Sequence, residues 1–416
     1  MSDELTIQVP KGRQDVAGGA SPRIMLATAS IAPEGRHTTL SAAPLGLGSL
    51  DTNSTGGWHP RLHPVAASRL SIAVLLCVFS ACLTTLDLPS VCAQLPDAQY
   101  GEVVPRDVRE MYDKGLQFLA KSQAQDGSWS GGQTGPGTTG LALMVLLASG
   151  EDPNFGLYSS HVRKALRSLI SQQNTTTGFL GNSMYHHGFG MLALAEAYGT
   201  VDDRNLWPSA QSNSKVSVGE ALELAVRAAI TSQKKNSFGG WRYSPDSTDA
   251  DTSVSGSVLV GLLAARNAGI EVPDSSIDKA IEYYKSMTSN SGQVAYAGGF
   301  GGFEESLARI SIGTLVYAVA RRKDLPQYKA AIKYLTNRLE SVPRQWPEYT
   351  RYYEAQALFQ GDVEAWEKWD KLLVRQLKQT QKADGSFTSD FGPAVGTSMS
   401  LLALALNYKF LPIYER

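Results

Sequence analysis

The chain has 416 residues, of which 43% are hydrophobic and 19% charged, and its formal net charge is −1. It contains no basic run and no excess of lysine and arginine, so nothing in its composition indicates a nucleic-acid partner. Its length is sufficient for one large domain or for two domains of ordinary size.

The N-terminal part differs in composition from the rest. Residues 1–69 are rich in Ala, Ser, Thr, Gly and Pro without sustained periodicity, which predicts a disordered lead-in. A lead-in of this length is unusual before a secretion signal, and the alternative is that translation starts at a later codon. Residues 94–105 are predicted to be a linker to the domain that follows.

Between these segments lies an uncharged run over residues 70–86, which at about 17 residues is at the lower limit for a membrane-spanning helix. The following Val-Cys-Ala at 91–93 approximates a signal-peptidase site. We predict a signal peptide over 70–93 and export to the periplasm or cell envelope. The alternatives are an uncleaved anchor through 70–86, with peripheral membrane contact, and a lipoprotein cleavage box at 79–82.

From residue 106 onwards a pattern repeats about every 50 residues, which suits two helices with their turns. A helix ends near a glutamine, and a Gly-x-aromatic turn follows, as in Gln123, Gly127 and Trp129. We call this pattern the glutamine-turn repeat. Later copies lose some letters, and the fifth, which leads to Trp346, lacks the glycine. The turn aromatics are Trp129, Phe179, Trp241, Tyr296, Trp346 and Phe387.

Each repeat predicts two helices of different polarity. The first is amphipathic, which is typical of a solvent-facing helix, at 106–123, 158–173, 216–233, 274–288, 325–341 and 362–381. The second is small and apolar on all sides, which is typical of a buried helix, at 138–149, 186–198, 252–268, 307–321, 349–359 and 396–408. This alternation predicts an all-α (α/α)6 toroid over 106–416, with an inner and an outer ring. An open superhelix is the alternative.

The segment from Lys114 to Trp129 resembles the QW motif of the squalene-hopene cyclase and prenyltransferase β-subunit repeat superfamily. The resemblance covers about residues 106–416 and implies the same (α/α)6 toroid. It also implies structural roles for Gln123, Trp129, Gln233 and Trp241. Complete cyclases of that family have two such domains, whereas this chain resembles its short, exported members with a single toroid.

If the inner helices are parallel, their N-termini gather at one rim, which we call the mouth. Partial positive charge and free N–H groups collect there, so the mouth is the candidate site. Asp249, Asp251 and Thr252 resemble the cyclase D-x-D-D-T segment, with Thr252 in place of the third carboxylate. The resemblance implies that Asp251 is the acid, tuned by Asp249 and His187. Helix capping is the alternative role for these aspartates.

Other residues of the mouth are candidates for binding a substrate: His186, Glu304, Glu305, Trp346, Tyr349, Tyr352 and Tyr353. Aromatic faces stabilise cations, although an ordinary core role is equally compatible with these aromatics. We predict no metal and no cofactor. Neighbouring histidines on a helix diverge by about 100°, and the three cysteines, at 77, 82 and 92, all precede the toroid.

Three functions remain open. The first is a terpene-cyclase-like isomerase acting on an isoprenoid. The second is a non-catalytic toroid that binds an apolar ligand or a protein partner at the cell envelope. The third is a polysaccharide-active enzyme that pairs Asp251 with Glu304 or Glu305. An apolar tunnel that ends at the acids would favour the isomerase. A filled centre would favour the non-catalytic toroid. A shallow polar cleft with aromatic platforms would favour an enzyme that acts on a glycan.

Overall fold

The structure is a computed structural model, and it describes residues 104–130, 132, 134–207, 216–297, 303, 305–343, 345–408 and 411. Backbone contacts divide the chain into Met1–Val91 and Cys92–Arg416. The predicted lead-in, the signal segment and nearly all of the linker lie outside the described residues. The fold described below is that of the second unit.

The second unit is helical, and the described residues contain no β-strand, only isolated bridges. A short 3-10 turn at Asp203–Asn205 interrupts the connection after the fourth helix. The helices are α1 Arg106–Ser122, α2 Pro136–Leu147, α3 Ser159–Ser171, α4 Met184–Ala197, α5 Val218–Gln233, α6 Thr252–Asn267, α7 Asp274–Met287, α8 Leu307–Val319, α9 Pro326–Thr336, α10 Pro347–Gly361, α11 Val363–Thr380 and α12 Pro393–Ala405.

The even-numbered helices form a closed inner ring. Each packs against the next, from α2 through α4, α6, α8 and α10 to α12, and α12 packs against α2. The odd-numbered helices pack outside them, and α11 contacts α1 where the ring closes. The chain is therefore an (α/α)6 toroid, as predicted, and the alternative of an open superhelix is wrong.

The inner helices are apolar on all sides because both of their faces are covered. Every residue of α2 from Pro136 to Leu147 is buried. Glycines allow neighbouring inner helices to touch through their backbones. A Cβ on Gly140 would lie 2.8 Å from the carbonyl oxygen of Phe189, and one on Gly188 would lie 2.7 Å from the backbone of Ser257. A larger residue at either position would force adjacent inner helices apart.

Four inner helices begin two or three residues earlier than predicted, at Pro136, Met184, Pro347 and Pro393. Three of these residues are prolines in the first turn, where proline is favoured because its fixed φ suits the helix and no N–H is needed. The other two inner helices begin at the predicted residues, Thr252 and Leu307.

The glutamines of the repeat connect each turn to the next outer helix. One side-chain amide group donates to the turn glycine and also to a carbonyl near the start of that helix. Gln123 donates to Gly127 and His161, both at 3.0 Å. Gln381 donates to Gly385 at 3.0 Å and to Met111 at 2.8 Å, which links the last repeat to the first helix. Gln173 and Gln233 make the same pair of bonds.

The indoles of the repeat close the ends of outer helices. The Trp129 and Trp241 side chains are fully buried, and their N–H groups donate at 2.8 Å to Leu119 and Ala229. Trp346, which the sequence grouped with them, differs because it precedes α10 and remains 46% exposed. In the part of the chain that the structure describes, no helix is long and apolar enough to cross a bilayer.

The turn glycines fit closely over the next outer helix, and we predict that Gly385→Ala lowers the free energy of unfolding by about 2–5 kcal/mol. Gly385 has a φ of 89°, and a Cβ there would lie 2.2 Å from the carbonyl oxygen of Lys114. Gly199 is the matched control, since its φ is 78° and nothing lies within 4 Å of its added Cβ. Gly199→Ala is expected to cost about 1–2 kcal/mol. Equal losses in urea-induced unfolding would contradict this account.

Candidate functional site

Asp251 lies at the mouth as the N-cap residue of α6. Its Oδ1 accepts a hydrogen bond from the backbone N–H of Val254 at 2.8 Å, which satisfies one of the free amides of the first turn. Its own N–H donates to the carbonyl of Trp241 at 2.9 Å. The capping role considered in the sequence is therefore present in the structure, and it occupies only one of the two carboxyl oxygens.

The second oxygen of Asp251 differs from the first. Oδ2 is buried and accepts no hydrogen bond, and the whole side chain is 0% exposed. Burial raises the pKa of Asp251 to about 6, and this rise is opposed by the Val254 N–H and by Arg242. The charge of Asp251 in turn contributes to raising the pKa of five nearby tyrosines, Tyr185, Tyr283, Tyr284, Tyr296 and Tyr349.

Arg242 joins the two aspartates of the D-x-D segment. Its Nη1 lies 3.2 Å from Oδ2 of Asp249, and its Nε lies 3.8 Å from Oδ2 of Asp251. The Asp249 side chain is 58% exposed, so one carboxylate faces solvent while the other lies behind it. The structure thus brings together Asp249 and Asp251, as expected, and adds an arginine that the sequence reasoning missed.

A row of aromatic side chains crosses the mouth from α10 towards α6. The hydroxyls of Tyr349 and Tyr185 lie 3.0 Å apart. The rings of Tyr185 and Tyr243 are 5.7 Å apart, and the Tyr243 and Tyr296 hydroxyls are separated by 3.5 Å. We call these four residues, with Trp346 and Phe391 at the α10 end, the aromatic track. The rings of Trp346 and Phe391 are 6.4 Å apart.

The same side chains fill the axis of the toroid beneath the mouth. Helices α4 and α10 lie on opposite sides of the inner ring, so the bond between Tyr185 and Tyr349 crosses its centre. One turn deeper, the rings of Phe189 and Tyr352 lie 6.1 Å apart. Tyr353 packs against Tyr349 and Tyr352, with ring centroids 5.0 and 4.8 Å away. Of the predicted aromatic wall, Tyr352 and Tyr353 are therefore buried core residues.

His187 does not occupy the position expected of a group that tunes Asp251. It is fully buried, its Nδ1 accepts from the N–H of Leu180 at 3.1 Å, and its Nε2 donates to the carbonyl of Ala225 at 3.0 Å. Burial lowers its pKa to about 4, so the ring is neutral. Because both ring nitrogens are bonded to backbone, the expected catalytic role of His187 has no basis in this arrangement.

His186 has a structural contact as well. Its Nδ1 accepts a hydrogen bond at 3.2 Å from the N–H of Gly137 in the first turn of α2, and burial lowers its pKa. The ring thus caps a neighbouring inner helix at the mouth. Among the described residues, no group of three potential ligands could hold a metal ion.

Glu305 bonds to residues other than the aspartates. It accepts from the hydroxyl of Tyr334 on the outer helix α9 at 2.8 Å and pairs at 3.4 Å with Arg338, which follows the end of that helix. Glu304 lies outside the described residues. A carboxylate pair between Asp251 and Glu305, which a polysaccharide hydrolase would need, is therefore absent from the described geometry.

Trp346 stands out by its backbone conformation. It adopts φ 45° and ψ 60°, in the left-handed region, directly before Pro347. Bulky residues rarely adopt this region, and a following proline disfavours helical ψ values further. Non-glycine residues held in such conformations cluster at binding sites. This strain places a half-exposed indole at the edge of the mouth and makes Trp346 the strongest of the predicted binding residues.

Sequence reasoning missed Arg242, Tyr243, Tyr185 and Tyr296 as site residues. Tyr185 directly precedes the two histidines, and its own aromatic character was the available signal. Arg242 and Tyr243 follow Trp241 in a turn, where no periodicity indicates which way a side chain points. The turn is held against α4 by the hydrogen bond from the Met184 N–H to the Tyr243 carbonyl, at 2.8 Å, and by the contact between the Tyr185 and Tyr243 rings.

A second buried carboxyl, Glu354, lies away from the mouth on α10. It is 1% exposed, one of its oxygens has no hydrogen-bond partner, and the Trp369 side chain of α11 bonds to the carboxyl. Burial raises its pKa to about 8, so this group is protonated at neutral pH. Its contacts join an inner helix to the outer ring and involve none of the mouth residues.

Comparison with known proteins agrees with the fold. Residues 109–304 match a family model described as a domain of unknown function, DUF6288. No curated protein sequence matches the chain significantly. The chain is an all-helical toroid of the (α/α)6 class, a class that includes enzymes with unrelated chemistries.

Solved structures of that class superimpose on about three quarters of the chain. A family 76 glycoside hydrolase from a bovine Bacteroides thetaiotaomicron strain has a TM-score of 0.54 at 8% identity, covering 73% of this chain and 78% of its own. The GH76A α-1,6-mannanase from Salegentibacter sp. HEL1_6 has a TM-score of 0.52 at 12% identity, and the match covers 72% of this chain and 98% of the mannanase chain. The type II terpene cyclase MstE from Scytonema has a TM-score of 0.50 at 14% identity, and the match covers 73% of this chain and 99% of the cyclase chain. These identities support a shared fold only.

Asp251→Asn tests the buried carboxyl through stability. Asparagine caps helices as well as aspartate does. Since the folded protein holds the Asp251 proton more tightly than the unfolded chain, wild-type stability falls relative to the variant as pH rises from the ordinary value of 3.8 to about 6. The free energy of unfolding of the wild type is expected to fall by about 3 kcal/mol relative to the variant, and this loss is complete above about pH 6. Urea unfolding of both proteins across this range measures it, and a pH-independent difference would refute the burial effect.

Proposed function

We propose that this protein binds an oligosaccharide across the mouth of the toroid. The observation that carries the proposal is the aromatic track, which crosses the mouth above a filled axis. Trp346 and Tyr243, near its two ends, are 46% and 43% exposed. A long apolar substrate would require a tunnel along the axis, whereas an extended ligand can lie on the track from above.

The chemistry of the track suits a sugar chain. Tyrosine and tryptophan combine an apolar face, on which the C–H face of a sugar ring can stack, with a polar tip that forms hydrogen bonds. Trp346 and Tyr243 are the half-exposed members of the track, which ends at the charged groups of Arg242 and Asp249. These groups supply the hydrogen bonds that carbohydrate hydroxyls require. The strained backbone of Trp346 supports a binding role at the other end.

We propose binding without hydrolysis as the primary function. Asp251 is fully enclosed, and Glu305 is bonded to Tyr334 and paired with Arg338. The two groups that would act as acid and base on a glycoside are thus covered or engaged elsewhere. The glycoside hydrolases with the same toroid give fold likeness only, and their substrates enter the proposal as analogy.

The binding proposal is tested with Trp346→Ala and Tyr243→Ala. Isothermal titration with a panel of linear hexasaccharides is expected to show weaker binding by about five- to thirtyfold, because loss of a stacking face costs about 1–2 kcal/mol. Phe155→Ala is the matched control, since Phe155 is 88% exposed in the connection after α2, at the opposite end of the inner helices.

Binding that is unchanged in both mouth variants, or reduced equally by Phe155→Ala, would contradict the assignment of the mouth. A complete lack of binding across the panel by the wild-type protein would contradict the proposal itself. Circular dichroism of each variant checks that the helices are retained.

A second candidate is acid-initiated carbocation chemistry of the terpene-cyclase kind. The unpartnered oxygen of Asp251 among tyrosine rings is the observation that favours it. Two observations weigh against it. A pKa raised to about 6 suits general acid catalysis near neutral pH but opposes protonation of an unactivated alkene, which needs a strong acid. The aromatic contacts across the axis also fill the volume that an isoprenoid would occupy.

The isoprenoid alternative predicts a bound lipid. Protein purified from its native envelope is extracted with organic solvent and analysed by mass spectrometry, in parallel with Asp251→Asn. An isoprenoid that remains unprocessed in the variant and is converted in the wild type would establish the cyclase interpretation. Repeated extraction without any isoprenoid would eliminate it and leave the binding function.

We further propose that the protein is exported to the periplasm or cell envelope, where extracellular glycans are accessible. The uncharged run at 70–86 and the small residues at 91–93 support this proposal. N-terminal sequencing of the protein from the producing cells tests it. A mature terminus near residue 94 is expected for the cleaved signal, whereas a chain that begins upstream of residue 70 and fractionates with the cytosol would contradict export.

A further inference from the structure

One end of the aromatic track has the features of a cation-binding site. The guanidinium of Arg242 lies between two carboxylates, 3.2 Å from Asp249 and 3.8 Å from Asp251. Its Cζ also lies 5.6 Å from the centre of the Tyr296 ring, within the range of a cation–π interaction. Carboxylates and an aromatic ring, which both attract cations, therefore surround the guanidinium of Arg242.

Arg242 does not satisfy this end completely. Two carboxylates face a single guanidinium, and Oδ2 of Asp251 accepts no hydrogen bond although it is wholly buried. A separation of 3.8 Å is too long for a hydrogen bond. Asp246 in the same loop is already paired with Lys235 and stands apart from this cluster. When both Asp249 and Asp251 are ionised, one negative charge remains without a partner.

We infer that this end of the mouth is a subsite for an alkylammonium group, so that among glycans the protein prefers those carrying free amines. This inference rests on the proposed oligosaccharide binding and specifies its ligand class. The Asp249 side chain is 58% exposed, so an amine can reach it without displacing Arg242. Acidic sugars would meet the unpaired carboxylate charge and are disfavoured. Neutral sugars would gain nothing from that charge.

The surrounding groups favour a cation over a water-filled polar gap. Asp251 is faced by Arg242 and Asp249 from its own loop and by tyrosines of other elements, and among the described residues Arg242 is the basic side chain that acts on it. Tyrosine faces carry partial negative charge and complement an ammonium group. The resident guanidinium shows that a positive charge is accommodated next to both aspartates.

The test uses three β-1,4-linked hexasaccharides that differ only at C2: the amine form, the N-acetylated form and the hydroxyl form. Titrations are made just above the pKa of about 6 of Asp251, so that Asp251 is ionised while the sugar amines still carry charge. We expect the amine form to bind about three- to tenfold more tightly than the other two, the range of a partly exposed ion pair with a cation–π contribution. High salt should reduce this preference, since exposed charges are screened.

Asp249→Asn should abolish the preference for the amine, so that the variant binds the amine form no more tightly than the N-acetylated form. The variant alters an exposed side chain and is expected to fold normally. Asp246→Asn is the matched control, because Asp246 is 75% exposed in the same loop and pairs with Lys235. It should leave the preference intact.

The outcomes separate this inference from the function on which it rests. Equal binding of the three hexasaccharides would overturn the ammonium subsite and leave the oligosaccharide proposal standing. A preference that Asp246→Asn reduces as much as Asp249→Asn would also overturn the subsite, since it would reflect general electrostatic attraction. If none of the three binds but other members of the hexasaccharide panel do, the subsite alone fails. If nothing in either set binds, both proposals fail.

Discussion

The double hydrogen bond of the repeat glutamines is the interaction on which the toroid depends. One amide group holds its own turn and the beginning of the next outer helix, so each repeat fixes the angle at which its neighbour packs. Four copies act in this way, and Gln381 applies the last of them to Met111, 270 residues away in sequence. These four links help to convert a linear series of helix pairs into a ring.

Closing the ring also creates the mouth. Since the turns of the repeat all precede inner helices, their non-repeating residues, among them Asp251, Tyr243 and Trp346, collect at one rim. Structural and variable residues of a repeat thus lie next to each other in sequence. The indole of Trp241 closes an outer helix, and the side chain of Arg242, the next residue, pairs with two aspartates. Aromatic contacts cross the axis beneath this rim.

The fold could be predicted from the sequence because it depends on period and polarity, both of which are visible in a single chain. The position of Asp251 could be predicted for the same reason, as it precedes a recognisable inner helix. The orientation of His187 could not. Adjacent helical residues point in directions about 100° apart, and only packing against α5 decides which of the two histidines is enclosed. The aromatic track depends on pairs such as Tyr185 and Tyr349, which lie in opposite helices and share no local pattern.

The closed ring has a consequence for the order in which the protein is made. The contacts between α12 and α2 and between Gln381 and Met111 join the end of the toroid to its beginning, so they form only after nearly the whole chain has been synthesised. Until then, the apolar flank of α2 that later meets α12 has no cover. A chain that emerges from a ribosome or a translocation pore therefore exposes an apolar helix surface throughout its synthesis. This fold would require chaperones to bind that surface during the interval.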